Sequence, residues 1–115
     1  MPYLKIQSNT EISEKKIIID EMTELIKEIL GKPDRFIMIA VENKIEMSFA
    51  GSDEPTAFVE LKSIDLPGNK TAVLSDRICW LLNHQLGIPA DRVYIEFSDA
   101  PRNMFGWDGA TFEPL

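Results

Sequence analysis

The chain has little of several things on which whole classes of protein depend. Among its 115 residues there is one cysteine, Cys79, and one histidine, His84. A lone thiol makes no internal disulfide, so the fold needs no oxidising compartment. Cys79 lies in the apolar run ICWLL, where a buried, inert thiol is expected rather than a reactive one. His84 has no cysteine or second histidine to join it, so no metal site is expected. Basic residues are also scarce: 12 Lys+Arg stand against 19 Asp+Glu, a net charge of −7. Such a surface repels phosphate backbones and anionic lipid heads, and no Lys/Arg cluster offsets it, which argues against nucleic acid or membrane as a partner. The apolar runs are far shorter than a bilayer span. The start, MPYLKIQSN, lacks the basic region and apolar run of a secretory signal. A cytoplasmic protein is expected, with leaderless secretion as the alternative.

What is present is a repeat. The stretch from Leu30, LGKPDRFIMIAVEN, can be laid over that from Leu86, LGIPADRVYIEFSD, with one residue inserted in the second copy. Each is preceded by a helical pattern, and that in turn by a strand beginning YLKIQSN or FVELKSI. The chain therefore reads as a single domain over 1–115, built from two β-α-β units at about 2–43 and 57–98.

Local signals point the same way. Leu4 and Ile6 alternate with Lys5 and Gln7, as in a half-buried strand. Ser13 is a candidate N-cap with Glu14 in the first turn. Ile18, Met22, Leu25, Ile26, Ile29 and Leu30 then form one apolar helix face. Gly31 can close that helix in left-handed geometry and Pro33 stops it. Phe36 to Val41 reads as a strand covered on both faces. In the second half Asn69 is the candidate cap, Leu74, Ile78, Leu81 and Leu82 the apolar face, and Gly87 and Pro89 the stop. Val93, Tyr94, Ile95 and Phe97 form the matching strand. Ile45 to Phe49 suggests a short edge strand, and Asp108-Gly109 the turn of a small hairpin. The expected fold class is α+β: a four-stranded mixed sheet from the duplicated β-α-β unit, two helices on one face, and short edge and C-terminal strands. The other sheet face then needs cover, which packing against further subunits would supply.

These motifs resemble the macrophage migration inhibitory factor / D-dopachrome tautomerase family of the tautomerase superfamily. The resemblance rests on Met-Pro at the start, GKP at 31–33, MSFAGSDEP at 47–55, LKSI at 61–64, IPADRVYIEF at 88–97 and GWDGATF at 106–112. It covers nearly the whole chain, and the order and spacing of the pieces, together with the duplication, make it specific. It implies a homotrimer whose three sheets surround a central channel, with sites between neighbouring subunits.

It also implies a chemistry. Trimming of Met1 would leave Pro2 with a secondary amine at the N-terminus. Apolar surroundings and nearby cations lower the pKa of such an amine, so that it can move a proton between carbon and oxygen in keto-enol tautomerism. With Met1 attached, that nitrogen is an amide and has no basicity. Taken by itself, Pro2 could equally just begin an edge strand, where its missing N–H does no harm. The resemblance assigns Lys32 to the substrate carboxylate and to lowering the pKa of the prolinium. A mere helix-end charge has no reason to appear in one repeat only, and the second copy has Ile88 there. The resemblance further gives Ile64 a backbone contact to the substrate carboxylate, and Tyr94 a place in the pocket of the adjacent subunit. A cross-strand aromatic is the structural alternative for Tyr94. Tyr3, Phe105 and Trp107 line the pocket or pack at the subunit interface. Two positions depart from the family pattern. Glu96 stands where a pocket asparagine is usual, and Thr56-Ala57-Phe58-Val59 replaces the Cys-x-x-Cys of mammalian members, so no thiol redox role carries over.

The expected activity is cofactor-free tautomerisation of small aromatic, phenylpyruvate-like α-keto acids. The alternative is a cytokine-like signalling or binding trimer with vestigial catalysis and a receptor the sequence does not name. A hydratase or decarboxylase on this scaffold is suggested only by the extra carboxylate of Glu96.

Overall fold

The structure, a computed structural model, describes residues 1–114. Its first unit is strand β1 (Tyr3–Ser8), helix α1 (Lys15–Leu30) and strand β2 (Met38–Glu42); its second is β3 (Ala57–Ile64), α2 (Thr71–Leu86) and β4 (Val93–Ala100). The sheet order is β2-β1-β3-β4. Within each unit the strands run parallel, as a helical crossover requires, and the two units meet antiparallel at β1 and β3. After each helix, a short 3-10 turn, Asp34–Phe36 or Ala90–Arg92, leads into the next strand. A hairpin of β5 (Gly106–Trp107) and β6 (Ala110–Thr111) follows. Its turn residues, Asp108 and Gly109, both have positive φ, 53° and 78°, the geometry that a tight two-residue hairpin requires.

The core lies between the sheet and the two helices. Leu4 and Ile6 of β1 and Val59 and Leu61 of β3 are fully buried beneath Met22, Ile26, Leu74, Ile78 and Leu82. Ile37, Ile39, Val41, Val93, Ile95 and Phe97 extend this layer across the outer strands. The opposite sheet face is open in the single chain. The strand register sets three rows across it: Met38–Tyr3–Lys62–Ser98, Ala40–Lys5–Glu60–Glu96 and Glu42–Gln7–Phe58–Tyr94. Its ends are apolar, with Met38 64% and Tyr94 61% exposed. Its centre is charged: Lys5 pairs with Glu42 at 3.0 Å and Lys62 lies 3.8 Å from Glu60.

Several local expectations are corrected. Neither Ser13 nor Asn69 caps a helix: α1 starts after Glu14 and α2 after Lys70, neither with a side-chain cap. Buried Ile12 fixes the entry to α1, which leaves Ser13 in solvent. Asn69 is taken up in the 3-10 turn Gly68–Lys70, and Thr71 Oγ1 donates back to the Gly68 carbonyl at 3.0 Å. Ile45 to Phe49 is not a strand of this chain. Positive φ at Lys44 and Ala50 bends both its ends, and its pairing is limited to a Phe49–Ser52 bridge and the Ile45 N–H to the Ser8 carbonyl at 3.1 Å. The strand expected from Phe36 begins at Met38, because Phe36 belongs to the preceding turn.

Candidate active site

The N-terminus enters the sheet at the start of β1, an inner strand flanked by β2 and β3. Pro2 is fully buried, and its carbonyl accepts from the Met38 N–H at 3.0 Å, which extends the β1–β2 ladder by one bond and fixes the proline between strands. Above it is a cavity of about 220 Å³ lined by Met1, Pro2, Tyr3, Arg35, Phe36, Ile37, Met38, Phe105, Gly106, Trp107 and Phe112. The wall is chiefly aromatic. Phe36 meets Trp107 edge-on at 5.9 Å, and the Trp107 and Phe112 rings lie parallel 6.0 Å apart. The hairpin produces this wall directly: pairing Gly106 with Thr111 sets Phe105 opposite Phe112, whose N–H donates to the Phe105 carbonyl at 3.2 Å.

Around the N-terminal amine, three charged side chains come from three distant segments. In the chain as it stands this amine belongs to Met1. Its pKa is held below the ordinary α-amine range, first by burial and then by the positive charge of Lys32, opposed by Asp65 and aided by Arg102. Lys32 follows the left-handed Gly31 (φ 68°), which turns the chain out of α1 towards the cavity. Asp65 follows β3 with φ 53° and pairs with Arg102 of the 3-10 turn Arg102–Met104.

Of the residues singled out in the sequence, Pro2, Tyr3, Phe105 and Trp107 meet in this cavity. Lys32 is not part of its wall but acts on the amine electrostatically. Ile64 ends β3; continuing the Tyr3–Lys62 register by two residues sets it beside Met1. Tyr94 and Glu96 are not brought to this cavity. Tyr94 shares a row with Phe58 and Gln7. It is therefore about 17 Å along the strands and about 10 Å across them from Pro2 of its own chain. Its ring packs edge-on against Phe49 at 5.0 Å. Glu96 lies beside Glu60 on the open face. His84 is stacked on Trp80 at 4.8 Å on the helical surface. Cys79 is half-buried, and burial, with Asp76, pushes its thiol pKa up, away from reactivity. Thr56 and Val59, the positions at which the resemblance implied a cysteine pair, belong to the scaffold: Thr56 Oγ1 donates to the Arg92 carbonyl at 2.6 Å, and Val59 is in the core.

Besides Met1, six wall residues escaped the sequence reading: Arg35, Phe36, Ile37, Met38, Gly106 and Phe112. Phe112 was legible from the hairpin itself, since a turn at Asp108-Gly109 forces it opposite Phe105. Phe36 and Met38 were read as strand, and only the 3-10 turn reveals that Phe36 faces the hairpin.

A duplicated β-α-β sheet with a buried N-terminal proline under an aromatic hairpin defines an α+β protein of the tautomerase type. The profile of the family described as macrophage migration inhibitory factor (MIF) matches residues 1–113. Macrophage migration inhibitory factor of Xenopus tropicalis is 36% identical over 96 residues, covering 83% of this chain and 84% of that protein. The homolog of Brugia malayi is 33% identical over 114 residues, covering 97% and 99%. Among solved structures, the homologue from Prochlorococcus marinus superposes with a TM-score of 0.92 at 37% identity, covering 96% of this chain and 99% of that one. The chain belongs to the macrophage migration inhibitory factor family, within the tautomerase superfamily.

Proposed function

We propose that the protein is a cofactor-free keto-enol tautomerase of phenylpyruvate-like α-keto acids, with the amine of Pro2 as general base once Met1 is removed. The observation that carries this reading is Pro2 itself, fully buried at the base of an aromatic cavity at an N-terminus on which Lys32 acts. Met1 lines that cavity, so its removal both exposes the secondary amine and opens the space around it. The amine then sits where desolvation disfavours its protonated form, and the charge of Lys32 adds to that.

In this mechanism the substrate's carboxylate is drawn to Lys32 and the Ile64 backbone, and its aromatic ring lies among Phe36, Phe105, Trp107 and Phe112. The Pro2 nitrogen removes a proton from the carbon beside the ketone while the ketone oxygen takes up negative charge. The same proton is then delivered to that oxygen, giving the enol, and the amine is left free. Atoms and charge balance without any cofactor.

The neighbouring subunit of a homotrimer would bring Tyr94 and Glu96 to this site, which their own chain holds too far away. Glu96 has no cation partner among the described residues, and beside the site it would repel an anionic substrate; Glu96→Asn is accordingly expected to increase activity. A cytoplasmic location is part of this reading, with cell fractionation as its check.

The test is enol formation from phenylpyruvate by protein whose Met1 status is known from mass spectrometry. Pro2→Gly is expected to lose at least about 10²-fold in kcat, the ordinary contribution of a positioned base. Lys32→Ala is expected to raise KM more than it lowers kcat. Equal activity in wild type and both variants would remove the assigned roles. It would leave the second reading, which family membership supports: a cytokine-like binding trimer with vestigial chemistry.

A further inference from the structure

The two repeats place an arginine at the same point, Asp34-Arg35 in one and Asp91-Arg92 in the other, each just after its helix. Their surroundings have diverged. Arg92 donates to four backbone carbonyls: Pro55 at 2.9 Å, Phe49 at 3.1 Å, Ser52 at 3.2 Å and Glu54 at 3.0 Å. It is thereby fully occupied in holding the loop before β3. Arg35 has no hydrogen bond or ion pair among the described residues. Its neighbouring acid, Asp34, is engaged by Lys27 at 3.2 Å. Its guanidinium lies 4.8 Å from the centre of the Phe36 ring, and Arg35 is one of the residues that line the cavity. The other arginine near the amine, Arg102, is already paired with Asp65. Arg35 is therefore an unneutralised cation, on a protein of net charge −7, at the border of an otherwise apolar and aromatic cavity.

We infer that Arg35 is a second anion-binding group of this site, selecting aromatic α-keto acids that carry a second acidic group remote from the keto-acid carboxylate. The inference rests on the reading of the cavity as a tautomerase site and adds the class of substrate. A guanidinium resting over an aromatic ring without a hydrogen-bonded or ionic partner has its N–H donors free, and these match a carboxylate with two parallel bonds. Arg35 lines the cavity and Lys32 lies outside its wall, so they present two points of charge rather than one. An aromatic ring between two acidic groups would span them, lying in the cavity that Phe36, Phe105 and Trp107 line.

Binding to the trimmed protein, followed by calorimetry, separates this from catalysis. The probes are phenylpyruvate and 4-carboxyphenylpyruvate, which share a ring and differ by one carboxylate. Wild type is expected to bind the diacid at least about tenfold more tightly than Arg35→Gln does, while phenylpyruvate changes less than about twofold between them. Arg35→Lys should restore part of the diacid affinity, and added salt should reduce the diacid's advantage. If Arg35→Gln weakens both ligands alike, or neither, or if wild type binds neither, the inference fails. If the diacid preference is present but no enol forms, the tautomerase reading falls and the assignment of Arg35 stands.

Discussion

At the scale of single residues, the N-terminal amine is governed first by its burial and then by charges that lie far apart in the chain. Lys32 and Arg102 disfavour its protonated form and Asp65 favours it, on top of the effect of burial. The sign of each follows from elementary electrostatics and can be checked in the untrimmed chain by NMR titration of the amine. Lys32→Ala is expected to raise the pKa towards the ordinary range, and Asp65→Asn to lower it further. No movement in either variant would show that these charges do not reach the amine. Linkage has the same direction. The folded amine holds its proton less tightly than the unfolded one, so its contribution to stability is complete above the unfolded pKa and is lost as pH falls through the folded one. Arg92 makes a different point about residues. Its sequence context is that of Arg35, yet the Arg92 guanidinium is a structural pin while Arg35 lines a cavity and is bonded to nothing among the described residues. Arg92→Ala is expected to cost about 2–3 kcal/mol, since charged hydrogen bonds are among the stronger ones. Hydrogen exchange in the segment before β3 should rise with it.

At the scale of elements, the helix ends show which signals a sequence carries well. Gly31 and Gly87 were legible as helix stops, and both take left-handed geometry, with φ of 68° and 70°. The two prolines that follow made the stops unambiguous. A Cβ at Gly87 would meet nothing within 4 Å, so its requirement is conformational and not steric. Gly87→Ala is therefore expected to lower stability by about 1–2 kcal/mol, the cost of left-handed backbone for an L-residue, as measured by urea unfolding. The helix starts were not legible, because Ser13 and Asn69 are good caps only if the chain enters at their positions. Burial of Ile12 and the extra turn at Gly68–Lys70 set the entries elsewhere. The segment from Ile45 to Phe49 misled for a related reason: its apolar residues suggest a strand, but it meets only the last residue of β1, at Ser8, and positive φ at Lys44 and Ala50 turns both its ends away from the sheet.

At the scale of the whole molecule, the body measures 49 × 26 × 26 Å with a radius of gyration of 14.7 Å. A compact domain of this length would have about 13 Å. The extra length and the open sheet face both indicate surface that the single chain leaves uncovered. Its apolar ends, at Met38 and Tyr94, are the parts expected to meet other copies, and its charged middle row is suited to a wet channel. Sedimentation equilibrium is expected to give three times the 13.1 kDa chain mass. Changing Tyr94 to Ala should weaken enol formation even though its own chain keeps it far from Pro2. A monomer at micromolar concentration would oppose both expectations.

What the sequence determined by itself was the duplicated β-α-β plan, because alternation, helical periodicity and Gly-x-Pro stops are local signals that occur twice and agree. It also yielded Pro2, Tyr3, Phe105 and Trp107 as a group, although only through resemblance to a family. Only the tertiary structure decided which of two equivalent arginines is occupied and which faces the cavity. It likewise decided that Lys32, Asp65 and Arg102 act on one amine, and it gave the distance at which the register holds Tyr94 and Glu96 from Pro2 of their own chain. The physical reason is that spacing along a chain fixes which face of an element a residue occupies. What that face meets depends on the register between strands and on the paths of turns far away in sequence.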